Sequence, residues 1–185
     1  VSLNVDAMMS SSPSMAIIRN CMICRHCKSL NPEVDMHKVT VIVPVYNAEQ
    51  CIERCVRSLF EQTLADIEYI FVDDCTPDKS MEVLERVLKE YPKRAESTVI
   101  IRHEKNTGQS GARRDGIKAA TGEYLIHCDA DDWVDTDMYE SMYNKAKEDG
   151  VEAVCCDIVL EFDNQSVTLS VTDEYEDHQM MYDCK

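Results

Sequence analysis

The chain lacks any run of about 18 apolar residues, so no stretch reads as a membrane-spanning helix. Basic side chains are scarce where acidic ones are dense. Residues 129–185 hold 17 Asp and Glu against 3 Lys and Arg, whereas residues 1–128 hold 18 against 16. A field of that sign repels polyanions, which excludes nucleic-acid binding by the C-terminal third. There is no internal repeat and no opening that reads as a secretory leader. Ten cysteines raise the question of a disulfide scaffold, but Cys51, Cys55, Cys128 and Cys155 stand at apolar positions of predicted helices and strands. Free Cys packs there as a small hydrophobe. The expectation is a reducing, cytoplasmic setting with mostly unpaired thiols, with peripheral association at the inner face of the cell membrane left open.

Forty-four per cent of the residues are hydrophobic, enough for one domain with a sizeable core. Residues 1–37 read as an N-terminal extension that is poorly ordered, with a Ser/Pro-rich patch from Ser10 to Ser14. Cys21, Cys24 and Cys27, with His26 among them, carry zinc-ligating atoms. No second Cys pair stands at the usual distance, so zinc is the less favoured reading. Met36, just before the first predicted strand, is a candidate for the natural start of the domain.

From residue 38 the chain alternates strand and helix. Strands are predicted at 39–45, 67–72, 98–102 and 123–128. Helices are predicted at 48–62, from Asp78 to Pro92, up to Ala120, and from Thr136 to Glu148 with Gly150 as its C-cap. Val151 to Leu160 begins another strand, with Phe162 to Val171 pairing beside it. Such alternation builds a three-layer α/β/α sandwich on a mostly parallel sheet. Four polar loops then fall on one sheet edge: Pro44 to Glu49, Asp73 to Asp78, Lys105 to Gly111, and Asp129 to Asp132. Ligands of open α/β sheets bind outside the carboxyl ends of the strands. Asp129-Ala130-Asp131 there can offer oxygens to a hard dication. Its plainer alternative is an acidic turn before a helix.

Four ordered motifs carry a resemblance over about residues 38–160. They are Val41-Ile42-Val43-Pro44-Val45-Tyr46-Asn47, Val72-Asp73-Asp74-Cys75-Thr76-Pro77-Asp78, Asn106-Thr107-Gly108-Gln109-Ser110-Gly111-Ala112-Arg113, and Gly122-Glu123-Tyr124 through Asp132. In these the chain resembles the inverting family 2 glycosyltransferases of the GT-A, Rossmann-like fold. Cys75 stands where that family often has Gly or Ser, and Arg114 where it often has Asn.

The resemblance implies a GT-A domain over 38–185 that is truncated at its C-terminus. It also implies a sugar transfer from a nucleotide-sugar donor, most often a UDP-sugar, to an acceptor hydroxyl with inversion, as in polysaccharide or glycoconjugate synthesis. Pro44, Tyr46, Glu49, Asp74, Arg113 and Asp129 are implied to bind the donor nucleotide. Asp131, with Asp129, is implied to hold Mn²⁺ or Mg²⁺. Glu49 has the alternative of a helix-opening charge, and Arg113 that of an exposed helix cation. Asp73 is expected to shape its loop, Asp132 to brace the acidic turn or cap the next helix, and His127 to pack in the core. The acceptor is a glycan, a lipid-linked hydroxyl or another hydroxyl. The general base is expected beyond Lys185, because Glu161, Asp163, Asp173 and Glu174 lie in no recognisable motif. The alternative is a nucleotide-sugar-binding fragment without turnover. A receiver-type signalling domain is disfavoured, since the acidic pair follows the second strand and no Lys-Pro pair occurs.

Overall fold

The computed structural model describes residues 21–24, 36–162 and 165–169. They fall into two compact units, one ending at Cys155 and the other beginning at Cys156. The first unit holds a six-stranded sheet. Its elements are β1 (Cys21–Cys24), β2 (Val39–Val45), α1 (Ile52–Phe60), β3 (Ile67–Asp73), α2 (Ser80–Leu88), α3 (Pro92–Ala95), β4 (Thr98–Arg102), α4 (Gly108–Ala119), β5 (Tyr124–His127), α5 (Met138–Asp149) and β6 (Ala153–Cys155). The strand order is β4-β3-β2-β5-β1-β6. β2, β3, β4 and β5 are parallel, as the alternation predicts. The second unit holds an antiparallel pair, β7 (Ile158–Phe162) with β8 (Gln165–Leu169).

Apolar runs explain the sheet centre. β3 is buried at every position, as expected of a parallel strand covered on both faces. Successive side chains of β3 point to opposite faces. Ile70 and Val72 pack with Ala112 and Ala120 from the α4 side. Tyr69 and Phe71 face the other way, where the Phe60 ring of α1 meets them edge-on at 5.0 Å and 6.3 Å between centroids. Helices therefore cover both faces, which is the three-layer sandwich. Each fully buried Ile, Leu or Phe contributes about 1.5–3 kcal/mol.

A buried polar link sets the start of β5. Thr40 donates to Glu68 at 2.6 Å, and Glu68 also accepts from the Thr121 N–H at 2.8 Å. Thr40 Oγ1 in turn accepts from the Gly122 N–H at 2.8 Å. A Cβ on Gly122 would lie 2.6 Å from the Thr40 backbone nitrogen, so only glycine lets the loop come this close.

Two expectations need correcting. The extension is not uniformly without order: Cys21–Cys24 forms β1, antiparallel to both β5 and β6, and Met22 is fully buried. The rest of the extension, with His26 and Cys27 of the zinc reading, lies outside the described residues. Pro92 does not close α2, which ends at Leu88, but opens the short α3, where its missing N–H costs nothing. Asp163, Asp173 and Glu174 also lie outside the described residues.

Candidate functional site

The loops after β2, β3, β4 and β5 meet at the carboxyl ends of the strands. They line a cavity of about 490 Å³ that includes Pro44, Tyr46, Asp74, Gln109, Asp129 and Asp131. Five of the residues singled out from sequence are thus brought together. Glu49 and Arg113 are not on the wall.

The first two loops are tied to each other backbone to side chain. The Asn47 N–H donates to Thr76 Oγ1, the Ala48 N–H to Ser80 Oγ, and the Glu49 N–H to Asp78 Oδ2, each at 2.9 Å. The Glu49 carboxylate accepts the Lys79 N–H at 3.2 Å. Glu49 therefore locks loop to loop. Asp78 also accepts from Ser80 and Thr76. Burial works against its charge, but these hydrogen bonds outweigh burial and bring its pKa to about 2. Asn47 and Cys75 adopt positive φ, 52° and 59°. Asn tolerates this region, whereas Cys is strained in it.

Asp74 is only 2% exposed. One oxygen, Oδ1, receives His103 Nδ1 at 2.8 Å, the Thr107 N–H at 2.8 Å and Thr107 Oγ1 at 2.9 Å. Burial would raise its pKa, but these hydrogen bonds prevail and hold it below the usual carboxylate value. Asp73 shapes its loop: it accepts from the Thr76 N–H at 3.0 Å and pairs with Arg102 at 3.1 Å.

Asp129 Oδ1 accepts from Arg113 Nη2 at 2.6 Å and from Gln109 Nε2 at 2.9 Å. Both donors sit on α4, four residues apart and so on one helical face. Arg113 Nε is buried with no partner among the described residues. Asp131 is exposed at the cavity. Asp132 is 2% exposed, and its Oδ1 has no partner among the described residues. Burial, with the Asp131 and Asp129 charges adding, raises its pKa to about 7. His127 sits within β5, where burial and then the Arg113 charge lower its pKa.

Sequence reading missed several wall residues. Asn106, Gly108 and Gln109 belong to a motif already noticed, and their contiguity with Arg113 was the available signal. Cys51 read as part of the apolar helical face, yet it precedes α1 and lines the cavity. Burial and then the Asp131 charge raise its thiol pKa.

Asp129 and Asp131 are hard oxygen donors at one wall. Among the described residues no three His, Cys, Asp or Glu side chains form a complete metal cage. That donor set suits a hexacoordinate dication that keeps its other positions for phosphate oxygens and water. Cys51, Cys55, Cys75 and Cys128 carry free thiols. Among the described residues no helix is long and apolar enough to cross a membrane.

Comparison with known proteins gives a consistent picture. The family model described as glycosyl transferase family 2 matches residues 40–181. The chain is 43% identical over 118 residues to the glycosyltransferase EpsJ of Bacillus subtilis, covering 64% of this chain and 33% of that one. It is 40% identical over 114 residues to the poly(ribitol-phosphate) beta-glucosyltransferase of Bacillus spizizenii, covering 60% and 17%. S. aureus TarS, solved with UDP, superposes with a TM-score of 0.54 at 27% identity, over 60% of this chain and 32% of that one. The mannosyltransferase PcManGT from Pyrobaculum calidifontis, solved with GDP-Man and Mn²⁺, gives 0.50 at 27%, over 53% and 28%. The chain spans about a third or less of the length of these relatives.

Proposed function

The chain belongs to glycosyl transferase family 2, and from that premise we propose that its cavity binds the donor of a sugar transfer, a UDP-sugar, with a divalent metal on its diphosphate. The observation that carries this reading is the convergence of Asp74, Asp129 and Asp131 on one cavity beside the Tyr46 ring. TarS has been solved with UDP and with UDP-GlcNAc, which supports a uridine donor. PcManGT was solved with Mn²⁺, which supports Mn²⁺ or Mg²⁺.

In this reading Tyr46, 47% exposed, offers a ring face to the base. Asp74, ionised and held through Oδ1, accepts a hydrogen bond from the base. Asp129 orients the ribose or a metal-bound water, and Asp131 ligates the metal. When bound, that metal supplies Lewis acidity to the leaving diphosphate. The acceptor hydroxyl attacks the anomeric carbon from the opposite side, the bond to diphosphate breaks, and the configuration inverts. The hydroxyl proton passes to a general base, and no described residue is assigned that role. The whole protein then builds a polysaccharide or glycoconjugate. Its acceptor is a glycan or lipid-linked hydroxyl, and the reaction takes place in the cytoplasm, at the inner face of the membrane when the acceptor is lipid-linked. Free thiols support the reducing compartment.

Calorimetry with UDP, with and without Mn²⁺, tests the reading. Binding that tightens about tenfold or more with Mn²⁺ is expected. No binding of UDP under either condition would remove the proposal.

A further inference from the structure

We propose that His103 is a positioning residue for nucleoside recognition, fixing the Asp74 carboxylate so that Oδ2 is presented to the base. The inference rests on the nucleotide reading of the cavity. His103 follows β4, and its N–H donates to the Asp73 carbonyl at 2.9 Å, extending the ladder by one residue. That anchors the ring beside Asp74. The two side chains are 11% and 3% exposed.

The geometry assigns the ring a direction. An ionised Asp74 only accepts, so the 2.8 Å contact requires a proton on His103 Nδ1. The other ring nitrogen, Nε2, lies 3.5 Å from Asp115 Oδ2 on α4. Asp115 is in turn held by Lys118 at 2.6 Å. A chain of polar contacts therefore runs from the exposed side of α4 to the cavity wall. Three donors, His103 and the two of Thr107, converge on Oδ1. None of these three uses Oδ2, and the Gly108 N–H also acts on the carboxylate, so the group is held from one side with Oδ2 toward the cavity. Without the ring, only Thr107 and the Gly108 N–H would restrain a carboxylate whose last torsion is broad for Asp. His103 does not itself line the cavity; its effect passes through Asp74, which does.

Variants at position 103 separate positioning from mere packing. Asn carries its amide N–H near where His carries Nδ1, whereas Gln carries its amide near Nε2. Calorimetry on the chain with UDP, and with inorganic pyrophosphate and Mn²⁺ as the nucleoside-free probe, reads the effect. His103→Leu is expected to weaken UDP about tenfold and to leave pyrophosphate binding unchanged. His103→Asn should recover UDP affinity to within about threefold, and His103→Gln should not. Asp74→Asn serves as the reference. If Asp74→Asn weakens UDP but His103→Leu does not, the positioning role is overturned and the nucleotide reading stands. If Asp74→Asn binds UDP as the parent does, the assignment of Asp74 to the base fails, and the role of His103 with it. If His103→Leu loses both ligands, the Asn and Gln variants decide, and equal UDP affinity in the two overturns the proposal.

Discussion

Arg113 holds Asp129 across the cavity edge, Nη2 to Oδ1 at 2.6 Å, with Gln109 on the same oxygen at 2.9 Å. A guanidinium so placed neutralises part of the acidic loop and keeps one Asp129 oxygen occupied. Arg113→Met should lower UDP affinity in Mn²⁺ about tenfold, because Asp129 loses its charged partner. Arg113→Lys should recover only part of this, since a compact ammonium does not reproduce the fixed Nη2 contact of the guanidinium with Asp129. Calorimetry on the three proteins checks it; unchanged affinity in Arg113→Met would leave Arg113 as a surface cation only.

Asp131 and Asp74 should fail in different ways. Asp131→Asn keeps the side-chain size but replaces carboxylate by amide, which a hard dication prefers less. Metal binding and diphosphate binding should fall together. Asp74→Asn should weaken nucleoside binding even without metal. Each loss is about 1.5–3 kcal/mol. UDP titrations with and without Mn²⁺ distinguish them, and an Asp131→Asn protein that still needs Mn²⁺ would return the acidic cluster to a helix-opening turn.

Cys75 is strained at φ 59°. Glycine has no Cβ to clash there, though it costs more chain entropy on folding. Cys75→Gly should therefore raise the unfolding free energy by about 0.5–1 kcal/mol, read from urea midpoints at constant slope. A lower midpoint would show that the Cys75 thiol, 3.7 Å from the Glu104 carbonyl, matters more than the strain.

Asp132 makes stability depend on pH. Its pKa is about 7 in the fold, through burial first and the neighbouring carboxylates next. It is about 3.9 in the unfolded chain. Between these values the unfolded chain has lost a proton that the folded chain still holds. Its contribution is therefore fully present below about pH 4 and is lost as pH rises through about 7. Urea unfolding in chelator at pH 5 and pH 8 should show the parent losing more stability than Asp132→Asn does. At about 1.4 kcal/mol per unit the difference amounts to a few kcal/mol. Equal losses would mean Asp132 is ionised at both pH values.

Local signals made the sheet centre legible. The β-branched runs before Pro44 and Asp73 have the composition of strands buried on both faces, and the four loops follow from where those runs stop. What escaped was long-range. β1 is four residues without alternation, and its partners are Tyr124, Leu125 and residues 153–155. No local pattern specifies such a pairing. Glu49 is implied by resemblance to bind the donor, with a helix-opening charge as the alternative, yet its carboxylate accepts the Lys79 N–H from the next loop. Helical phase fails at Cys51 because the residue stands outside the helix whose phase was being counted.

The place of β1 has a consequence for how the chain is made. β1 is made long before the strands it pairs with, β5 and β6. Ile23 pairs with Leu125 and Met22 with Val154, roughly 100 and roughly 130 residues later, which is a high contact order. Until β1 arrives, the β5 edge that carries the acidic loop is unpaired on that side. The strand supporting Asp129 and Asp131 therefore gains its second neighbour only through a long-range pairing, and premature pairing of that open edge with another nascent chain competes with its closure.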